Sequence, residues 1–320
     1  MKKGTCFQVP FCFFGGCIMR IGIDIGGSHV GVGLIDNGNI ISEEARNLTR
    51  QDRVNVKESL INIIVELLNR VMEESHADLN DIEFVGIASP GTISNNIIKQ
   101  ATNLGLEDFD LIAELQKYIN VPMQIKNDSK CAALAEKHYG AMRDYDDSLF
   151  LCLGTGIGGA AFIDGKMLEP KRFSGFEFGH MVINKGGRQC SCGKRGCFET
   201  YASIRALRNK IAEVLDIDND FSGEYLREKL LDLNDDRVNE VVEQFIEDLS
   251  VGICNLIDLF EPEIIVLGGS FSYYENHPLF DRLIEKIKEP SSRFNKGDIP
   301  FITVAKLKND AGIIGATIRE

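Results

Sequence analysis

Apolar positions set the first element of this chain. Ile21, Ile23 and Ile25 alternate with other residues, Gly26-Gly27-Ser28 turns the chain, and Val30, Val32 and Leu34 alternate on the return. That is the period-2 pattern of a β-hairpin over residues 20–35. Asn37-Gly38 predicts a second tight turn into Ile40 and Ile41. Leu60, Ile64, Leu67, Leu68 and Val71 then recur at helical spacing and predict a helix over about 56–75. A buried strand follows from Ile82 to Ala88 and ends at Pro90-Gly91. A helix over about 108–119, a short strand Met123 to Ile125, and an Ala-rich helix over about 129–140 complete this half.

The opening pattern then returns. From Leu149 to Gly165 an apolar strand meets Gly154-Thr155-Gly156, runs back as a second apolar strand and closes at Asp164-Gly165. A self-similar stretch far along the chain predicts two copies of one structural unit. A long helix over about 238–260 leads into Ile264 to Leu267 and a third glycine turn, Gly268-Gly269-Ser270. The stretch 311–319 reads as a final helix. Turns of this kind let backbone amides surround an anion, and three of them each follow a strand.

Composition narrows the partners. The formal net charge is −13 over 320 residues, which argues against nucleic acid, because phosphate backbones demand a basic face. It leaves ATP open, since amides and a metal can hold phosphates on an acidic protein. No apolar run reaches the roughly 18 residues that a spanning helix needs. The nine cysteines are too unevenly spaced for a secreted disulfide scaffold. These features predict a cytoplasmic protein. Residues 1–18 read as a disordered or mis-assigned extension, with Met19 as the start. A weak signal peptide and a lipoprotein box at Cys17 are the rival readings.

Several residues carry candidate chemistry. Gly154-Thr155-Gly156-Ile157-Gly158-Gly159 matches G-x-G-x-x-G, but a dinucleotide site needs a helix next. Here Ala160 to Ile163 read as a strand, which excludes that site. Asp24 stands in an isoleucine strand just before the first glycine turn. It is either a turn cap or a partner for the magnesium of Mg-ATP. Asp128 is either a helix N-cap or a general base able to take a proton from an attacking hydroxyl. His180, Cys190, Cys192 and Cys197 form one imidazole and three thiolates with glycines between them, the donor set of structural zinc. Glu177 and Glu199 flank that set and would accept hydrogen bonds from polyol hydroxyls, unless they are surface acids.

These segments resemble known ones. Asp24-Ile25-Gly26-Gly27-Ser28, Asn127-Asp128, Leu153 to Gly159 and Leu267-Gly268-Gly269 are similar to the phosphate, base and nucleotide segments of the actin-like ATPase and sugar-kinase superfamily. Glu177-Phe178-Gly179-His180, Gly187, Cys190-Ser191-Cys192-Gly193, Gly196-Cys197, Glu199 and Ser203 resemble the signature of the ROK family of sugar kinases and repressors. The resemblance implies an α/β fold, the duplicated actin-like ATPase (ribonuclease H-like) fold, with two α/β domains and the active site in the cleft between them. The domains would cover 19–126 and 127–309, with a zinc loop at 177–199 and a helix at about 310–320 packing back on the first. It implies ATP held by Asp24, Gly26, Gly27, Ser28, Gly154, Thr155, Gly156, Gly268 and Gly269. It implies a hexose lined by Gly91, Asn103, Asn127, Asp128, Glu177, His180 and Glu199, with Asp128 as base for the 6-hydroxyl. A homodimer would follow too. Ser28 stands where the family usually has Thr, and His29 follows it. The first hairpin begins by residue 21, which leaves no room for the repressors' helix-turn-helix. The expectation is an ATP-dependent hexose kinase, glucokinase foremost. N-acetylhexosamine kinase or fructokinase, and a non-catalytic sugar-responsive regulator, are the alternatives.

Overall fold

The structure is a computed structural model, which describes residues 19–170, 176–231, 235–289 and 298–319. The expected extension 1–18 lies outside the described residues. The predicted hairpin forms as β1 (Met19–Ile25) and β2 (His29–Asp36), and Asn37-Gly38, both with positive φ, turns into β3 (Asn39–Asn47). Helix α1 (Val56–Ser75) buries Leu60, Ile64, Leu67 and Val71 along one face. Strand β4 (Ile82–Ser89) pairs in parallel with β1. Next comes a small antiparallel sheet that the hydrophobic pattern did not reveal: β5 (Thr92–Ser94), β6 (Ile97–Ala101) and β7 (Leu106–Phe109).

The helix expected over 108–119 is shorter. Leu106–Phe109 is spent on β7, Asp110 caps, and α2 spans Leu111–Leu115. Strand β8 (Met123–Asn127) follows, then α3 (Asp128–Tyr139). The second half opens with β9 (Ser148–Leu153), β10 (Ile157–Ile163) and β11 (Lys166–Met167). Helices α4 (Glu199–Ala202), α5 (Ile204–Leu215), α6 (Gly223–Tyr225) and α7 (Asp236–Phe260) lead to β12 (Ile264–Gly269). Helix α8 (Pro278–Lys288), β13 (Phe301–Val304) and α9 (Asp310–Ala316) close the chain.

The two main sheets have one topology. The strand orders are β3-β2-β1-β4-β8 and β11-β10-β9-β12-β13, so each is a three-strand meander extended by two parallel strands. The repeat read from the sequence is therefore a duplication of a whole sheet. Each sheet has its own core. Ile21, Ile23, Val32 and Leu34 pack with the apolar face of α1, while Leu149, Leu151, Ile265 and Leu267 pack with α5, α7 and α8.

The helices that follow the last strand of each sheet cross between them. Helix α9 leaves the second sheet and packs on β1 and β4 of the first, while α3 leaves the first and packs on β10 of the second. The helices meet where Gly315 lies against the Cys131 backbone; a Cβ at Gly315 would overlap the Cys131 carbonyl. Glu136, fully buried, locks this crossing by accepting from the N–H groups of Ala141 and Leu307, both at 2.7 Å. A buried carboxylate that accepts two amide bonds is satisfied where an unpartnered one would be costly.

Candidate active site

Three groups of the sequence-predicted residues assemble around the crossing helices. The first surrounds Asp24. Strand β1 sets it beside Ala88 of β4 and Gly31 of β2, and Gly312 of α9 lies against its carboxylate. Burial, then the charges of Asp128 and Glu43, push this carboxyl up to about 7. The turn beyond it is closed by the Gly26 N–H donating to the His29 carbonyl at 2.9 Å. The His29 imidazole folds over Gly26, with Nε2 3.9 Å from Asp24 Oδ2. Asn103 faces Gly27 from the far side: its Nδ2 would lie 3.0 Å from a Cβ there.

The second group opens α3. The N-cap is Asn127, whose Oδ1 accepts from the N–H groups of Ser129 at 3.1 Å and Lys130 at 3.4 Å. Its Nδ2 donates to the Gly91 carbonyl at 3.1 Å, tying in the turn after β4. The alternative of Asp128 as the cap is thereby corrected, since the neighbouring asparagine fills that place. Asp128 is the first helical residue, and its Oδ1 accepts from the Ser129 N–H at 2.7 Å. Burial drives its carboxyl up to about 6 against the pull of those Ser129 bonds, and the Glu177 charge adds to the rise. The Glu177 charge thus raises Asp128, and the Asp128 charge in turn raises Asp24.

The third group is the loop Glu177–Glu199. Nδ1 of His180 lies 3.6 Å from Cys190 Sγ, Cys192 and Cys197 Sγ are 3.6 Å apart, and all four donor atoms fall within 4.8 Å of one another. Ligands about 2.0–2.3 Å from a tetrahedral zinc stand about 3.5–3.8 Å apart, so the donor set fits that ion. Without metal, burial pushes the Cys190 thiol up to about 12. At Cys192 burial also pushes upward, but the Lys194 N–H and the two neighbouring thiols outweigh it and hold that thiol below its ordinary value. Glu199 Oε1 lies 3.3 Å from Cys190 Sγ and 3.6 Å from His180 Nδ1, and its other oxygen abuts Gly156. The cluster is thus coupled to the second glycine turn, whose Gly154 carbonyl accepts from the Arg205 N–H at 3.1 Å.

The third turn adjoins the second, since Gly269 pairs with Leu153 and Gly268 with Cys152. Gly269 has the positive φ, +64°, that its turn requires. Thr155 and Ser28 sit within the second and first turns. The strand after Gly156 is β10, as the exclusion of a dinucleotide site requires. One residue escaped the sequence reading. Arg53 donates from Nη2 to the Gly27 carbonyl at 2.5 Å and from Nη1 to the Asn103 carbonyl at 3.2 Å.

Two sheets of one topology, crossed by paired helices and each bearing a glycine turn after its first strand, define an actin-like ATPase fold of the sugar-kinase type. The chain belongs to the ROK family, whose family model matches residues 20–318. It is 31% identical over 318 residues to a glucokinase of Thermotoga maritima, covering 92% of this chain and 95% of the relative. It is also 31% identical over 268 residues to a xylose repressor of Bacillus subtilis, covering 81% of this chain and 65% of the repressor. The solved ROK family glucokinase from Streptomyces griseus, in complex with glucose and AMPPNP, superposes with a TM-score of 0.76. It is 25% identical, and the match covers 93% of this chain and 97% of that one. No helix among the described residues is long and apolar enough to cross a membrane.

Proposed function

We propose that this protein is an ATP-dependent hexose kinase that phosphorylates the sugar 6-hydroxyl, with glucose as its sugar. The observation that carries the reading is Asp128. It is freed from capping by Asn127, its carboxyl is raised to about 6 by burial, and the Glu177 charge adds to that rise. A carboxylate with a pKa just below neutrality is ionised at working pH yet basic enough to accept a hydroxyl proton. Asp128 takes that proton as the sugar oxygen attacks the γ-phosphate. The glycine turns at 26–28, 154–156 and 268–269 hold the nucleotide phosphates through backbone amides, and Asp24 meets their magnesium. Gly91, Asn103, Asn127, Glu177, His180 and Glu199 hold the sugar.

His180, Cys190, Cys192 and Cys197 would hold a structural zinc, which supplies a rigid tetrahedral anchor for the loop. With Nδ1 of His180 turned to the cluster, Nε2 is left to donate to a sugar hydroxyl. All four donors come from protein, so these residues would hold the ion in an orienting role and not a catalytic one. Cys192→Ser is expected to lose zinc in metal analysis and to weaken sugar binding in the same preparation; a zinc-free wild type sinks this part of the reading.

The deciding experiment is coupled ADP release across glucose, mannose, fructose, allose, N-acetylglucosamine and N-acetylmannosamine, with Asp128→Asn as control. A general base is worth about 10²–10⁴ in rate, so that variant should fold normally and lose activity by that factor. The identity to a xylose repressor favours one other reading, a sugar-responsive regulator. It predicts sugar binding with no ADP released for any sugar.

A further inference from the structure

Arg53 belongs to none of the groups above, yet it touches two members of the first, Gly27 and Asn103. It sits in the loop between β3 and α1, and its guanidinium divides its donors between the Gly27 carbonyl, in the first phosphate turn, and the Asn103 carbonyl, after β6. These acceptors are 26 and 50 residues away. The planar guanidinium presents several N–H donors in a fixed fork, so two carbonyls bound to it are held at a fixed separation. The same fork sets the Asn103 amide against Gly27.

The arm that presents Arg53 is itself held. Asp52 accepts from the N–H and hydroxyl of Thr49, at 2.8 and 2.6 Å, and pairs with Arg46 of β3. Bonds from the Thr49 hydroxyl and N–H, then Arg46, hold the Asp52 carboxyl below its ordinary value. The Leu48 N–H donates to the Ser28 carbonyl at 2.8 Å, so the loop starts and ends on the phosphate turn. This brace does not support the core, because Arg53 is exposed.

We propose that Arg53 is a positioning residue that couples nucleotide binding to sugar binding. The inference rests on the kinase reading, which places phosphate at Gly27 and sugar at Asn103. When phosphate orders the turn through its amides, the Gly27 carbonyl is fixed, and through the guanidinium so is the Asn103 backbone. Sugar binding orders the same fork from the other end. Such linkage is reciprocal, and couplings between sites commonly span about 5–150-fold. An exposed fork belongs at the low end, so each ligand should tighten the other by roughly fivefold.

The test is calorimetric titration of glucose into the whole protein, with and without a saturating non-hydrolysable ATP analogue and magnesium. Wild type should bind glucose roughly fivefold tighter with the analogue present, and Arg53→Ala should bind it equally with and without. Arg53→Lys keeps the charge but lacks the fork. It should retain most of the analogue affinity and still lose the coupling, which separates bridging from a simple field effect. An unchanged melting temperature in both variants is expected from the exposed position. Coupling that survives in Arg53→Ala to within twofold overturns the proposal, as does a wild type that binds both ligands independently. A wild type that binds neither ligand overturns the kinase reading, and the coupling with it.

Discussion

The two glycine hairpins share a topology and differ in chemistry. In the first, Asp24 pairs across to Gly31 and in parallel to Ala88; at the matching place in the second, Cys152 pairs to Gly158 and Gly268. Both sites are ringed by small residues, so the backbone leaves the same space in each. The first fills it with an acid pushed up to about 7 by burial and by Asp128 and Glu43, and the second with a thiol that burial pushes up to about 12. At neutral pH one hairpin offers a carboxylate poised to ionise beside a cation, and the other a neutral sulfur. Duplication supplied the scaffold twice, while the acid chemistry stayed with one copy. The second copy answers through its neighbour instead, since Glu199 abuts Gly156 from the Cys/His loop.

The largest break in that comparison should come from Asp24→Asn set beside Cys152→Ala. A magnesium partner stabilises several kcal/mol of transition-state charge, so Asp24→Asn should lower kcat at least about 10²-fold. Cys152→Ala should stay within about threefold, because a neutral thiol offers no charge to a cation. Equal losses in steady-state assays would mean that the two hairpins carry equal chemistry.

A smaller effect appears in the pH profile. The base must be ionised, and the raised Asp128 carboxyl protonates as pH falls through about 6. The kcat/KM for sugar, at saturating Mg-ATP, should therefore drop about tenfold per pH unit below 6. A plateau that extends to pH 4.5 would show that the site does not hold Asp128 in this way.

The smallest effect concerns stability. Asp24 and Asp128 both have native values above the unfolded one near 3.8. The native state therefore binds more protons than the unfolded chain between about pH 4 and 7. By linkage, the contribution of these two groups to stability is greatest at low pH and is lost as pH rises through that window. Asp24→Asn removes its share, so the metal-free variant should be more stable than wild type at pH 8, by on the order of 1 kcal/mol. The gap should close toward pH 5. Melting curves at the two pH values decide it, and a gap that widens at low pH reverses the argument.

How much of this was legible in sequence depended on range. Asn37-Gly38 and Asp164-Gly165 announced their turns, and all four residues have positive φ. The periodic stripe from Leu60 to Val71 located α1 at its observed bounds. The Cys/His spacing brought four donors together because the ligands are close in sequence and glycines turn the chain between them. The strands β5 to β7 were not legible, being three to five residues long, too short to establish a period. The helix expected over about 108–119 overstated α2, since a cap at Asp110 set its start and isolated turns took over after Leu115. Arg53 was invisible for another reason. Its partners are backbone carbonyls far along the chain, and a carbonyl leaves no mark in the residue code.

The reciprocal crossing of α3 and α9 also bears on how the chain is made. The first sheet is synthesised first, but the surface formed by Gly22 of β1 and Gly86 of β4 is covered by Ile313 and Ala316 of α9. Those residues leave the ribosome long after β1 does. Domains commonly fold as units during synthesis, N-terminal first, yet here the half that emerges first must wait for α9 before its layer closes. Until then a strip of sheet meant for contact with backbone stays open to solvent and to other chains, and α9 seals a sheet begun some three hundred residues earlier.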